Sequence, residues 1–134
     1  FLAAAQASRV YAAALLNLGA VAARVAHDES VAVICAGKDG RFALDDVVCA
    51  GLLIQRVLDF RGDAPSTLDE SSRTALMLAG SVTPDTDFFL GTAAGAALVE
   101  IGLADDLAAV ASLDRHTLVP EMHDRMIRVS EPTV

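Results

Sequence analysis

Tryptophan is absent from this sequence, tyrosine occurs once, and aromatic residues fill only 4% of its 134 positions. The hydrophobic share is nevertheless 54%, and much of it is alanine, so the helices are expected to pack closely. Basic residues are also scarce: 10 Lys and Arg stand against 18 Asp and Glu, a net charge of -8. That balance argues against nucleic acid or an anionic membrane as a main partner, because both call for a cationic surface. A small anion is not excluded, since a local cluster of cations and backbone donors overrides the overall field. No stretch reaches the ~18 uninterrupted apolar residues of a membrane span. The run from Val10 to Ala26, behind Arg9, faintly resembles a secretion signal, but Asn17 and Arg24 interrupt it. The two cysteines, Cys35 and Cys49, have no Cys/His spacing that suggests zinc. Both read as reduced thiols, and the expected location is the cytoplasm. Internal repeats and low-complexity linkers are lacking. The length suits a single domain, large enough to bury roughly two-thirds of its unfolded surface.

What is present points to alternating strands and helices. Val10–Leu16 and Val31–Ala36 read as strands, the second as a buried one, because it is short, apolar and rich in β-branched residues. Asn17 is placed to cap a short helix over Ala20–Ala26. Leu44, Val47, Val48, Leu52 and Val57 recur at helical spacing, and the longest helix is expected from Leu44 to Phe60. Arg61-Gly62-Asp63 then reads as a turn; the same tripeptide matches an integrin-binding motif. Thr67-Leu-Asp-Glu70 has the form of a capping box, and Thr83-Pro84 of a second helix start. Thr92–Ile101 is a small-residue helix stopped by Gly102. Asp105 and Asp106 open a helix to about Leu113, Leu118-Val-Pro120 closes it, and Met126–Val129 is a last strand. Leu2–Ser8 has the composition of a helix end.

The chemistry is expected between Val31 and Asp46. Gly37 and Gly40 allow the backbone to turn sharply and approach a ligand. Strand, glycine turn and helix N-terminus together present free amides and a partial positive charge, which suits phosphate. Lys38 and Arg41 add charge, and Asp45 and Asp46 are candidate ligands for a hard cation. Adjacent residues on a helix point about 100° apart, so only one acid faces a given ligand squarely. The plain alternative is that both acids only complement the helix dipole. Cys35 and Arg41 also have the spacing of a cysteine-phosphatase loop, but Asp39 inside the loop opposes a thiolate. The three histidines, His27, His116 and His123, are dispersed and read as surface residues.

Three segments in register resemble the 2-phosphosulfolactate phosphatase family. These are Leu16-Asn-Leu-Gly-Ala-Val-Ala22, then Cys35-Ala-Gly-Lys-Asp-Gly-Arg-Phe-Ala-Leu-Asp-Asp46 with Cys49-Ala-Gly51, and finally Ile101-Gly-Leu-Ala-Asp-Asp106 with Asp114 and Val119-Pro120. The resemblance runs from about Asn17 to Pro120. It implies a magnesium-dependent phosphohydrolase that removes phosphate from 2-phospho-3-sulfolactate, a step toward coenzyme M in methanogens. Asn17, Gly37, Gly40, Asp45 and Asp46 lie on the matched motifs. Asp45 and Asp46 are expected to act on Mg²⁺ or its water; Asn17, Gly37, Lys38, Gly40 and Arg41 are expected to bind substrate. The sequence departs from the family where a Ser-x-His segment is usual, carrying Thr92-Ala-Ala94 instead. The family's Asp, Arg and Asn-Gly motifs lie upstream of the matched segments and outside this sequence.

The expectation is therefore an α/β fold, a sheet with covering helices in a layered α/β/α arrangement, forming a single domain over 1–134 or the C-terminal part of a larger phosphatase domain. Its ligand would be a small anionic phosphate ester, and its partner a second copy or an N-terminal half. The alternative function is a catalytically inactive relative or fragment that binds an anion or a subunit.

Overall fold

The computed structural model describes residue 4 and residues 6–130. The helix end expected at Leu2–Ser8 falls in part outside them. The described residues form a mixed α/β structure whose centre is the packing of α1 (Leu18–Val25) against α2 (Leu44–Arg61). On α1, Leu18, Val21, Ala22 and Val25 are buried, the i, i+3, i+4, i+7 stripe of one helical face. They meet Leu53 and Val57 of α2, together with Leu15, Phe89, Leu107 and Val119.

A second stripe on α2, Ile54 and Leu58, packs on Ala75 of α3 (Glu70–Ala79). The two helices touch at Gly51. A Cβ there would stand 2.1 Å from the Ala75 carbonyl oxygen, so only glycine permits the approach. Helix α2 closes on Gly62, which takes a left-handed φ of 70° and donates to the Leu58 carbonyl. Arg61 donates to the carbonyls of Val25, Ala26 and Asp28 at the C-terminal end of α1, where a cation is favoured. The Arg-Gly-Asp tripeptide is thus a helix stop, its arginine committed to holding two helices together.

Three short helices follow: α4 (Thr86–Leu90), α5 (Ala93–Glu100) and α6 (Asp106–Val110). Helix starts were legible, but two caps fall two residues later than the sequence suggested. Asp69 accepts from the Ser72 amide to start α3, while Thr67 belongs to a 3-10 turn. Asp85, not Thr83, caps α4 by accepting from Phe88. A carboxylate outcompetes a neutral hydroxyl for a bare helix amide. Thr92 caps α5 as expected. Helix α6 stops at Val110, short of Leu113.

The sheet lies elsewhere than expected. It consists of β1 (Val119–His123) and β2 (Met126–Ser130), antiparallel and joined by Asp124-Arg125, both at positive φ. Leu118-Val-Pro120 therefore leads into a strand and does not close a helix. Of the expected strand Val10–Leu16, only the start runs beside β1: Met122 donates to Val10, Ala12 donates to Pro120, and Tyr11 bridges Glu121. Leu15–Asn17 turns into a 3-10 helix. Residues 31–36 belong to no strand of the described structure and are exposed, although their composition is that of a buried strand.

Candidate functional site

Residues 37–41 form a tight two-residue hairpin. Lys38 and Arg41 exchange backbone hydrogen bonds of 3.1 and 2.9 Å across Asp39 and Gly40. Asp39 and Gly40 both take positive φ, 53° and 71°, which an Asp-Gly pair tolerates best. Gly37 is at φ 71°, and a Cβ on it would meet the Arg41 carbonyl at 2.6 Å. Its amide donates to Asp46 Oδ2 at 2.6 Å. The third residue of α2 thus reaches back and fixes the entry to the hairpin.

This geometry revises the expected phosphate cradle. The amides of Gly37, Lys38 and Arg41 are turned to protein acceptors, so the first glycine serves the turn and not a ligand. The corner is nevertheless open: residues 39–42 are exposed. Residues opposite each other in such a pair project their side chains from the same face. Lys38 and Arg41 are therefore neighbours, and like charges in that position are destabilising. Asp39 relieves Lys38 at 3.4 Å, but no carboxylate among the described residues pairs with Arg41. Both cations line a cavity of about 360 Å³ with Asp39, Phe42 and Ala93. Phe42 is 74% exposed, an aromatic edge with nothing yet covering it.

The acids stand just beyond. Asp45 and Asp46 occupy the first turn of α2, which no side chain caps. Asp45 makes no hydrogen bond to the hairpin among the described residues, and one oxygen of Asp46 is committed to Gly37. No group of three His, Cys, Asp or Glu among the described residues is close enough to hold a metal ion. Mg²⁺ commonly takes only one or two carboxylates, with waters and substrate oxygens completing its shell. Asp45 and the second oxygen of Asp46 fit that limited donor set.

Cys35 does not suit a nucleophile. Desolvation, then the Asp46 carboxylate, pushes its thiol up from the ordinary value, which is opposite to what a reactive thiolate needs. Cys49 is pushed up to about 11 by burial and then by Asp46, Cys35 and Asp45.

Asn17 is placed for structure. It is buried; its Oδ1 accepts from Ala14, and its amide hydrogens go to the carbonyls of Ala12 and Leu118. It makes no cap for α1. That role passes to Asp114, which accepts from the Gly19 amide and pairs with Arg56 at 2.8 Å. Sequence reasoning passed over Phe42 and Ala93 as cavity walls. The signal available was Asp39-Gly40, a hairpin dipeptide whose flanking residues must share a face.

Fold and site together define an α/β protein with a cationic hairpin set against a helix that begins with two acids. The chain belongs to the 2-phosphosulpholactate phosphatase family, whose sequence model matches residues 1–125. It is 36% identical over 122 residues to a probable 2-phosphosulfolactate phosphatase of Deinococcus radiodurans, covering 89% of this chain and 50% of that protein. A protein of the same description from Thermus thermophilus is 35% identical over 123 residues, with 90% of this chain and 50% of the relative covered. One from Symbiobacterium thermophilum is 35% identical over 119 residues, with 87% and 50% covered. The chain spans about half the length of these curated relatives. Among the described residues no helix is long and apolar enough to cross a membrane.

Proposed function

We propose that this chain forms the anion-holding part of a magnesium-dependent phosphohydrolase acting on a small organophosphate, with 2-phospho-3-sulfolactate as the substrate. Family membership supports the reaction class. The observation that carries the site is the placement of Lys38 and Arg41 on one face of a hairpin at the cavity mouth. A pair of adjacent cations with one relieving carboxylate is an unfavourable arrangement that a polyanionic ligand relaxes. In this reading the side chains hold the ligand oxygens and the glycines shape the turn. Phe42 covers the carbon skeleton and excludes water from one side. Asp46 positions the hairpin through the Gly37 amide, and Asp45 faces the ligand. Asp45 and the free oxygen of Asp46 would hold Mg²⁺, which when bound supplies charge neutralisation and an oriented water. The cytoplasm, where Cys35 and Cys49 stay reduced, is the proposed location.

A second reading is favoured by three features: the inward-turned amides, the pair of acids without a third ligand among the described residues, and Ala94 where the family resemblance implies histidine. In that reading the chain binds an anion or a subunit without turnover. Phosphate release from 2-phospho-3-sulfolactate by the natural protein that carries this chain separates the two. The enzyme reading predicts turnover that requires Mg²⁺, stops with chelator, and falls by about two orders of magnitude in Asp45→Asn. Absent or metal-independent turnover would contradict it.

A further inference from the structure

We infer that residues 31–36 are an inner sheet strand whose neighbours are extended segments supplied by the half of the family's length that this chain does not span. This goes beyond the phosphatase reading and does not depend on it. Four observations carry the inference. Residues 30–36 run without turn or bend, and none makes a backbone hydrogen bond to the rest of the described chain. Their side chains alternate as in a strand. Val33 and Cys35 face a groove of about 370 Å³ walled by Val47, Ala50, Ile54 and Ala75, whereas Ile34 between them is 76% exposed. One face is thus already backed by α2 and α3, and the other is bare. Finally, relatives that match nearly all of this chain are about twice as long.

A strand apolar on both faces belongs inside a sheet covered on both sides. It needs a hydrogen-bonded neighbour at each edge, because an apolar edge left open invites unspecific pairing. A second copy of this chain meets that need poorly. A two-fold pair joins one edge only and leaves the other open, and each copy carries a net charge of -8 that opposes close approach. Extended, alternately apolar polypeptide on both edges meets it fully. It would also fix the end of the strand at Gly37, and with it the hairpin that presents Lys38 and Arg41.

The test mixes this chain with a polypeptide comprising the part of the Deinococcus radiodurans protein outside the matched region. Association is followed by light scattering, amide exchange at 31–36, and labelling of the Cys35 thiol. The expected result is a one-to-one complex in which exchange and Cys35 labelling slow about tenfold or more. Ile34→Glu should abolish the complex, and Met77→Glu, at an equally exposed site on α3, should not. Three results would overturn the inference: no complex, a complex that leaves these amides and Cys35 unprotected, or protection in the chain alone. In the last case, light scattering from the chain alone assigns the cover to a second copy or to the chain itself.

Discussion

Cys49 lies one helical turn beyond Asp45 and Asp46, at the i+4 and i+3 positions where side chains meet on a helix. Burial first, and then these carboxylates with Cys35, favour its neutral thiol and raise it to about 11 from 9.0. The native state therefore holds this proton over a pH range in which the unfolded chain has released it. A raised value of this kind gives stability that is complete below pH 9 and lost as pH climbs toward 11. The separation between those values corresponds to roughly 3 kcal/mol. Urea unfolding at pH 8 and at pH 10.5 should show a falling midpoint in the natural chain, and a smaller fall in Cys49→Ala. An identical pH dependence in the two would contradict the assignment. The same environment explains why the Cys35–Arg41 spacing misleads: desolvation first, and then the neighbouring acids, favour the cysteines as thiols.

Helices were largely legible in this sequence because their signals are local. Buried Leu18, Val21, Ala22 and Val25 repeat at helical spacing, Gly62 and Gly102 mark stops, and Thr92 marks a start. Strands were not, because pairing is not local. Residues 31–36 carry a strand's composition but meet no partner among the described residues. Val119–His123, with a proline in second place, is a strand because Val10–Ala12 and β2 both lie alongside it. The site was legible as a stretch but not as a geometry. Gly37 and Gly40 were correctly placed at a turn, but it is a hairpin that consumes amides expected to face a ligand. Gly51 illustrates contact between elements that the sequence motif Cys-Ala-Gly could not reveal. A Cβ at this position would run into the Ala75 carbonyl, so Gly51→Ala must push α2 and α3 apart. The expected cost is about 1–3 kcal/mol, read as a lower thermal midpoint, while Gly62→Asn, with no atom within 4 Å of its Cβ position, should change it less. Equal losses would mean that close helix packing is not what Gly51 provides.

For the molecule as a whole, the proposed function raises the question of how a chain of net charge -8 would hold an anion. The overall field repels one, so attraction must come from a short-range cluster that acts within a Debye length of about 8–10 Å. In the proposed function Lys38 and Arg41 provide it at the mouth of the cavity shared with Phe42 and Ala93, and their setting on one face of a hairpin is the claim on which the functional reading rests. The most direct test is a titration of the chain with inorganic phosphate, followed by amide and side-chain chemical shifts. The prediction is saturable shifts centred on residues 38–46, weakened by added salt and lost in Lys38→Gln/Arg41→Gln. Shifts elsewhere in the chain, or an affinity unchanged in that double variant, would contradict it.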